Sequence, residues 1–361
     1  MCRHHGLPPQ QQPHLGLNLA SASVVAAVAG PRRNLIPQGL ERFTQGPLPS
    51  QALVEQISPS VTCILGLNPS SFTLNGTNIY LVGTGRRRVL IDAGERSEKT
   101  SRVIALLEQV FADQGVDGLD EIICTHLHHD HVGGAEAIQR RFGPCRVSKF
   151  PSPESEIVRR EKQVEQEQLR LGLSSTTIPD SMRLVQQGID FERRPYHRLQ
   201  EGELISTQGA SLRILHTPGH APDHVVIVLE EERAVFTGDH VLGWGTSWVE
   251  DLGDYVSSLH KIANLSPLRL YPGHGPCVME ALACLNRYLS HREQRERQVL
   301  GDLQSSFQTT TLELVNRLYP STAKHDPRAV GNVEKILIKL QNEGIVVQLP
   351  HSEWRLVGNR L

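Results

Sequence analysis

No stretch of this sequence stays apolar for the roughly 18–20 residues a helix needs to cross a bilayer, and the segment Val24–Ala29 is too short to anchor it. Its six cysteines, at positions 2, 63, 124, 145, 277 and 284, are scattered and include no Cys-x-x-Cys pair. Cys63 and Cys124 lie inside apolar stretches, so they read as buried thiols rather than disulfide partners. An excess of one charge is missing too: 37 Lys and Arg against 39 Asp and Glu leave a net −2. No global basic field recommends nucleic acid as a partner, and any such contact has to be local.

Acidic residues are themselves absent before Glu41, and Pro8-Pro9-Gln10-Gln11-Gln12-Pro13 is of low complexity. Arg3, Arg32 and Arg33, with Ser21 and Ser23, partly match a transit peptide. The prolines would interrupt an amphipathic helix, so a disordered extension without an address competes with targeting over residues 1–55. At 361 residues and 39% apolar, the chain is long enough for about two domains and a sizeable core.

The segment Thr125-His126-Leu127-His128-His129-Asp130-His131 carries the most chemistry. It follows the apolar run Ile122-Ile123-Cys124 and precedes Gly133-Gly134. A strand ending there tips His126, His128, Asp130 and His131 into one loop. Neutral imidazole and carboxylate at this density suit Zn²⁺, whose bonds to them are about 2.0–2.2 Å. Turns draw on Gly, Asn, Pro and Asp rather than on clustered histidines.

Further donors arrive in separate packets. His216-Thr217-Pro218-Gly219-His220, Val235-Phe236-Thr237-Gly238-Asp239 and Leu270-Tyr271-Pro272-Gly273-His274-Gly275 share one plan. Each joins a short apolar run to a glycine that lets the backbone turn, and then to a metal-type side chain. Val89-Leu90-Ile91-Asp92-Ala93-Gly94 also ends a strand-like run on a carboxylate.

This motif series resembles that of the metallo-β-lactamase superfamily. The resemblance implies an α/β fold, an αββα sandwich. It implies that His126, His128 and His220 hold one zinc, that Asp130, His131 and His274 hold a second, and that Asp239 bridges them. Asp92 matches a strand-end Asp that orients a ligand imidazole, as such partners do. Two cations about 3.5–4 Å apart can activate a water and stabilise attacking and leaving oxygens, and Asp130 stands as the catalytic carboxylate.

A narrower resemblance rests on Leu67-Asn68-Pro69, on Thr73-Leu74-Asn75-Gly76-Thr77-Asn78-Ile79-Tyr80, and on Phe236 through Thr246 with Glu250-Asp251-Leu252 and Tyr255. These resemble the β-lactamase-like protein 2 group, from about Ser60 to the C-terminus. Animal members of that group are mitochondrial endoribonucleases acting on single-stranded RNA; related fungal proteins are thioesterases. The resemblance therefore implies a zinc-dependent endoribonuclease that cuts by a metal-activated hydroxide, with two Zn²⁺ per chain. The alternative is a thioesterase acting on acyl-carrier-protein or glyoxalase-II-like thioesters. A binding protein with a dead site is disfavoured, because every ligand position is filled. The group's habit places the protein in the mitochondrial matrix, with the cytoplasm as alternative; no membrane partner is expected.

Val61–Gly66, Thr77–Val82 and Arg88–Asp92 read as successive strands, and Val103, Leu107 and Val110 recur at helical spacing. A catalytic domain is expected over 56–285, interrupted at 151–194 by a charged insertion that the family lacks at this length. That insertion reads as a solvated helix with a flexible loop, or as a substrate lid. Over 286–361 a polar helix leads to a capping-box pair, Thr310 and Glu313. Asp326-Pro327 opens another helix, with Val330, Val333, Leu337 and Leu340 as its apolar stripe. A hairpin follows, with Ile345-Val346-Val347 and Trp354-Arg355-Leu356 as its strands. Helix, helix, hairpin is a small winged-helix pattern.

From Asn286 onward, 11 Lys and Arg against 8 Asp and Glu give +3, far from a dedicated phosphate-binding arm. Arg328, Lys335 and Lys339 either touch backbone phosphates or are ordinary solvated charges. His129, His224 and His240 stand near the ligands without an assigned role; His224 contacts substrate or makes a structural hydrogen bond. Trp244 and Trp248 either stack a base or cover the core.

Overall fold

The structure, a computed structural model, describes residues 47–179, 182–319 and 327–358. The expected N-terminal extension lies outside these residues as far as residue 46, as does the helix-opening Asp326. None of the described helices is long and apolar enough to cross a membrane.

Seven strands form the first sheet in sequence order: β1 (Val54–Ser58), β2 (Val61–Leu65), β3 (Asn78–Val82), β4 (Arg87–Ile91), β5 (Gly118–Cys124), β6 (Arg146–Lys149) and β7 (His197–Arg198). The first four pair antiparallel and the rest parallel. Between these strands in the chain come α1 (Thr100–Gln114), the short α2 (His129–Val132), α3 (Ala135–Phe142), α4 (Glu154–Leu171) and α5 (Arg183–Glu192). The second sheet runs β12-β11-β10-β9-β8, built from β8 (Leu204–Thr207), β9 (Ala210–His216), β10 (Val225–Leu229), β11 (Ala234–Gly238) and β12 (Arg269–Pro272).

β10 is apolar throughout rather than alternating, because both of its faces are covered. Between the sheets, Tyr80, Val89, Ile91 and Ile123 meet Ile214, Ile227, Phe236 and Tyr271. On the outer face of the first sheet, Ile79, Leu81, Leu90 and Ile122 pack on Val103, Leu107 and Phe111 of α1 and Ile138 of α3. On the outer face of the second, Val226, Val228 and Val235 pack under α6 (Leu252–Asn264) and α7 (Ala281–Ser305). These are the four layers of an αββα sandwich.

The C-terminal stretch is β13 (Thr309–Thr310), α8 (Thr311–Leu318), α9 (Pro327–Asn342), β14 (Val346–Leu349) and β15 (Glu353–Leu356), with sheet order β13-β15-β14. The capping box is formed: Glu313 N donates to Thr310 Oγ1 and Thr310 N to Glu313 Oε2. The buried pair on α8 is Leu314 and Val315, while Leu312 is exposed. Val333, Leu337 and Leu340 of α9 join Val299 and Leu303 of α7 in the apolar cluster that covers the second sheet.

The insertion differs from the solvated helix expected of it. α4 and α5 pack on each other through Ile157, Val164 and Ile189, which form a small core of their own. α5 also presses on the histidine-rich loop. A side chain at Gly188 would meet the Leu127 carbonyl oxygen at 2.7 Å, so only glycine allows that approach.

Candidate metal centre

Five strand ends open on one mouth. Asp92 follows β4, Thr125–His131 follow β5, His220 follows β9, Asp239 follows β11 and His274 follows β12. The turn before His220 needs its glycine: Gly219 has φ +127°, and a Cβ there would stand 2.4 Å from the Tyr255 backbone. Asp92 takes φ +60°, a left-handed conformation uncommon outside glycine and typical of strained functional positions.

The seven expected ligands converge as two trios with a shared carboxylate. In the first trio, His126 Nε2 lies 2.9 Å from His128 Nδ1, and His220 Nε2 lies 3.2 and 3.1 Å from those two atoms. In the second, Asp130 Oδ2 lies 3.2 Å from both His131 Nε2 and His274 Nε2. Asp239 spans the two: its Oδ1 is 3.4 Å from His131 and 3.3 Å from His274, and its Oδ2 is 3.7 Å from His220. Donors about 2.0–2.1 Å from one tetrahedral cation stand about 3.3 Å apart, which is the spacing seen here.

The unused nitrogens are held from outside. His131 Nδ1 meets Asp92 Oδ2 at 2.8 Å, so Asp92 orients the imidazole of an expected ligand. His220 Nδ1 donates to the Trp248 carbonyl at 2.8 Å, and His274 Nδ1 to the Gly76 carbonyl at 3.2 Å. His126 Nδ1 meets Thr125 Oγ1 at 3.0 Å. A proton committed to the outer nitrogen leaves the inner one a lone-pair donor.

Two buried atoms test the fit to a metal directly. His131 Nε2 and Asp239 Oδ1 face the shared centre and make no hydrogen bond, a costly state for polar atoms out of water. Electrostatics agrees. Burial opposes charge on His131 and His274, yet Asp130, Asp239 and, for His131, Asp92 hold His131 well above the ordinary histidine range and His274 at about 10. The second trio therefore attracts positive charge. Burial pushes His126 and His128 well below the usual range and lowers His220. These are neutral imidazoles, the form that ligates metal. The donor set fits two divalent cations.

Several neighbours are assigned by contact. His224 does not face the mouth: its Nδ1 meets Thr217 Oγ1 at 3.0 Å and its Nε2 accepts from Asp239 N at 3.2 Å. It is a structural histidine that fixes the Asp239 backbone. His240 Nε2 donates to the Tyr255 carbonyl at 3.1 Å. His129 is half-buried, its Nδ1 4.0 Å from Asp130 Oδ1. Trp248 is 52% exposed, Lys335 Nζ lies 3.7 Å from the centroid of its ring, and Trp244 is half-buried. Lys339 is claimed by Glu296 and Glu343 at 2.7 and 2.8 Å, which makes it a structural charge. The Arg328 side chain lies outside the described residues.

Sequence reasoning missed the supports. Thr77 Oγ1 donates to Asp130 Oδ2 at 3.1 Å, and Thr125 N donates to Asp92 Oδ1 at 2.8 Å. Buried Lys149, at the end of β6, reaches Asp223 at 2.5 Å and Glu192 of α5 at 2.6 Å. Asp223 sits three residues after His220, so Lys149 ties the insertion to a ligand loop. The one sequence signal for it was a lysine ending a strand beside Phe150.

The fold and geometry have counterparts among known proteins. A family model described as the metallo-β-lactamase superfamily matches residues 72–274. A "Beta-lactamase-like protein 2 homolog" of Caenorhabditis elegans is 35% identical over 83% of this chain and 90% of its own length. One from Drosophila melanogaster is 37% identical over 81% and 91%. An "Atrochrysone carboxyl ACP thioesterase" of Aspergillus chevalieri is 33% identical over 87% and 92%. Among solved structures, a metallo-β-lactamase family protein from Thermus thermophilus superposes with TM-score 0.62 at 23% identity, covering 83% of this chain and 100% of that one. A β-lactamase domain protein from Burkholderia ambifaria gives 0.66 at 18% identity, covering 84% and 93%.

Proposed function

This chain belongs to the metallo-β-lactamase superfamily, and on that premise we propose that it is a metal-dependent endoribonuclease cutting single-stranded RNA. In this reading His126, His128 and His220 hold one Zn²⁺, Asp130, His131 and His274 hold a second, and Asp239 contacts both. Bound there, the cations supply Lewis acidity and neutralise charge developing on the phosphate.

The protein's own groups do the rest. Burial resists ionisation of Asp130, but His131 and His274 keep its carboxyl well below the usual range, so it stays a carboxylate. Thr77 fixes its Oδ2. Asp130 then orients the attacking water and accepts its proton, a role worth about 10²–10⁴-fold in rate. Asp92, through His131, keeps the second trio in register.

The observation that carries the choice of RNA is Trp248. The loop residue whose carbonyl holds His220 presents a half-exposed indole beside the mouth, with the Lys335 ammonium over its ring. A base stacked on such a ring gains about 1–3 kcal/mol regardless of sequence. The resemblance to the β-lactamase-like protein 2 group supports the same substrate. We read residues 286–361 as a helix plus a small winged-helix unit made of β13, α8, α9, β14 and β15, beside a catalytic domain of residues 56–285. Following the group's habit, we propose the mitochondrial matrix as the protein's location, with the cytoplasm as the alternative.

A thioesterase is the second reading, favoured by likeness to fungal proteins named as acyl-carrier-protein thioesterases. One assay separates the two: labelled single-stranded RNA beside a panel of acyl thioesters, with wild type and Asp130→Asn. We expect metal-dependent RNA cleavage that Asp130→Asn lowers at least about 10²-fold, with the circular-dichroism spectrum unchanged. Thioester turnover without RNA cleavage rejects the endoribonuclease.

A further inference from the structure

Beyond the mouth, a cleft of about 250 Å³ opens between the loop after β11 and the C-terminal helices, with Thr246, Arg292, Arg295, Tyr319, Asn332 and Lys335 among its ten lining residues. Three of the ten are Lys or Arg, and none of the three has a carboxylate within ion-pairing distance among the described residues. Aromatic rings and neutral acceptors hold the two guanidinium groups instead. Arg292 lies 5.0 Å from the Tyr255 ring centroid and donates to the Ser247 carbonyl at 3.2 Å. Arg295 lies 4.9 Å from the Tyr319 ring centroid and donates to Gln298 Oε1 at 3.1 Å. Arg292 Nε is buried and makes no hydrogen bond.

The contrast with neighbouring cations is informative. Lys339, one helical turn beyond Lys335, meets two carboxylates, and Arg317 meets Asp302 at 2.8 Å. These two are neutralised by ion pairs, whereas among the described residues Arg355, over the Phe307 ring, is not. In the cleft three cations stand together without an ion pair, although like charges brought together repel. The cleft also shares a wall with the mouth. The loop that lines it with Thr246 and Val249 gives the Trp248 carbonyl to His220, and Ser247 Oγ lies 3.2 Å from the same imidazole.

The geometry points to a phosphate subsite: Arg292, Arg295 and Lys335 bind a backbone phosphodiester of single-stranded RNA flanking the one held at the metal centre. This deepens the endoribonuclease reading and rests on it. A fork of guanidinium donors matches phosphate oxygens, and Trp248 stands between subsite and mouth to stack an intervening base.

The test is binding by the full-length chain in an Asp130→Asn background, measured by fluorescence anisotropy with a labelled single-stranded RNA of about ten nucleotides over a salt series. Arg295→Gln and Lys335→Gln should each raise Kd roughly tenfold and reduce the salt slope by about 0.7. Lys335→Arg should restore affinity, and Lys339→Gln should leave it unchanged. If wild type cuts RNA while Arg295→Gln and Lys335→Gln bind as tightly as their parent, or if Lys339→Gln weakens binding equally, the subsite is wrong and the endoribonuclease stands. If the unmutated chain neither binds nor cuts RNA but hydrolyses a phosphopantetheine thioester, that reading falls, and the RNA subsite falls with it.

Discussion

The mouth of the sandwich and the helical insertion beside it both bury charge, and they settle it in opposite ways. At the mouth, Asp130 and Asp239 face His131 and His274, yet His131 Nε2 and Asp239 Oδ1 are left without hydrogen bonds. Under the insertion, the Lys149 ammonium is met by Asp223, Glu192, the Phe150 carbonyl at 2.5 Å and Ser152 Oγ at 3.2 Å. Arg160 of α4 reaches Glu156 at 2.5 Å, and Glu250 at 3.6 Å. One network is open, its lone-pair donors facing a shared centre; the other is closed by ion pairs, although Asp223 Oδ1 makes no hydrogen bond. Buried charge announces function where lone-pair donors crowd together, and architecture where cation and carboxylate meet.

Breaking the closed network should give the largest effect on stability. Lys149→Ala strands two buried carboxylates, and removing one partner of such a cluster costs about 3–5 kcal/mol. Neutralising all three groups together, as Lys149→Met with Glu192→Gln and Asp223→Asn, should cost far less, because no charge is left unpaired. Urea titration of both variants measures the difference; equal losses would mean that packing, not charge, is what Lys149 contributes. The pH dependence has a defined sign. Burial raises the Glu192 carboxyl, but Lys149, with hydrogen bonds from Ser152 and Tyr196, more than offsets this and the net shift is downward from 4.5. The associated stability is present above that value and fades as pH falls through the lower folded-state pKa. The Lys149→Met, Glu192→Gln, Asp223→Asn variant should lose this acid-side decline.

The open network is sharpened by Asp92→Asn. Asparagine keeps the Oδ1 acceptor for the Thr125 amide but replaces the oxygen that meets His131 Nδ1. Losing an outer partner of this kind lowers metal affinity about 10–100-fold. Competition with a graded chelator should show that loss with thermal unfolding of the metal-free protein little changed. Unaltered affinity would mean that the second trio is set by its backbone alone.

Much of the mouth was legible because its signals are local. His220, Asp239 and His274 each follow a short apolar run and sit beside glycine, so one strand end and one donor are read together, as at Pro272-Gly273-His274. The strands β2, β3 and β4 were readable for the same reason. Thr77 was not, because its bond to Asp130 depends on β3 and the loop after β12 closing across the mouth through the Thr77–His274 bridge. The insertion failed differently. Its core is three side chains, Ile157, Val164 and Ile189, spread through a charged stretch, and no periodic apolar stripe rises above that background. The C-terminal cations were visible as residues, but sequence did not tell Lys339, which is neutralised, from Lys335, which is not.

Two arginines of α4 bring the comparison to its finest scale. Arg170 pairs with Glu167 at 2.6 Å and Arg160 with Glu156 at 2.5 Å, so sequence spacing and distance barely distinguish them. Their surroundings do: the Arg170 side chain is 67% exposed and that of Arg160 10%. Water already satisfies the Arg170 guanidinium, so Arg170→Ala should leave the urea midpoint essentially unchanged. Arg160→Ala leaves Glu156 with only the half-exposed Arg159 as partner, at a site from which water is largely excluded, and should cost about 1.5–3 kcal/mol. Equal values in urea titration would show that Glu156 finds its compensation elsewhere, in the Arg159 side chain that also reaches it at 2.7 Å. Adding Arg159→Ala to Arg160→Ala would then recover the missing loss.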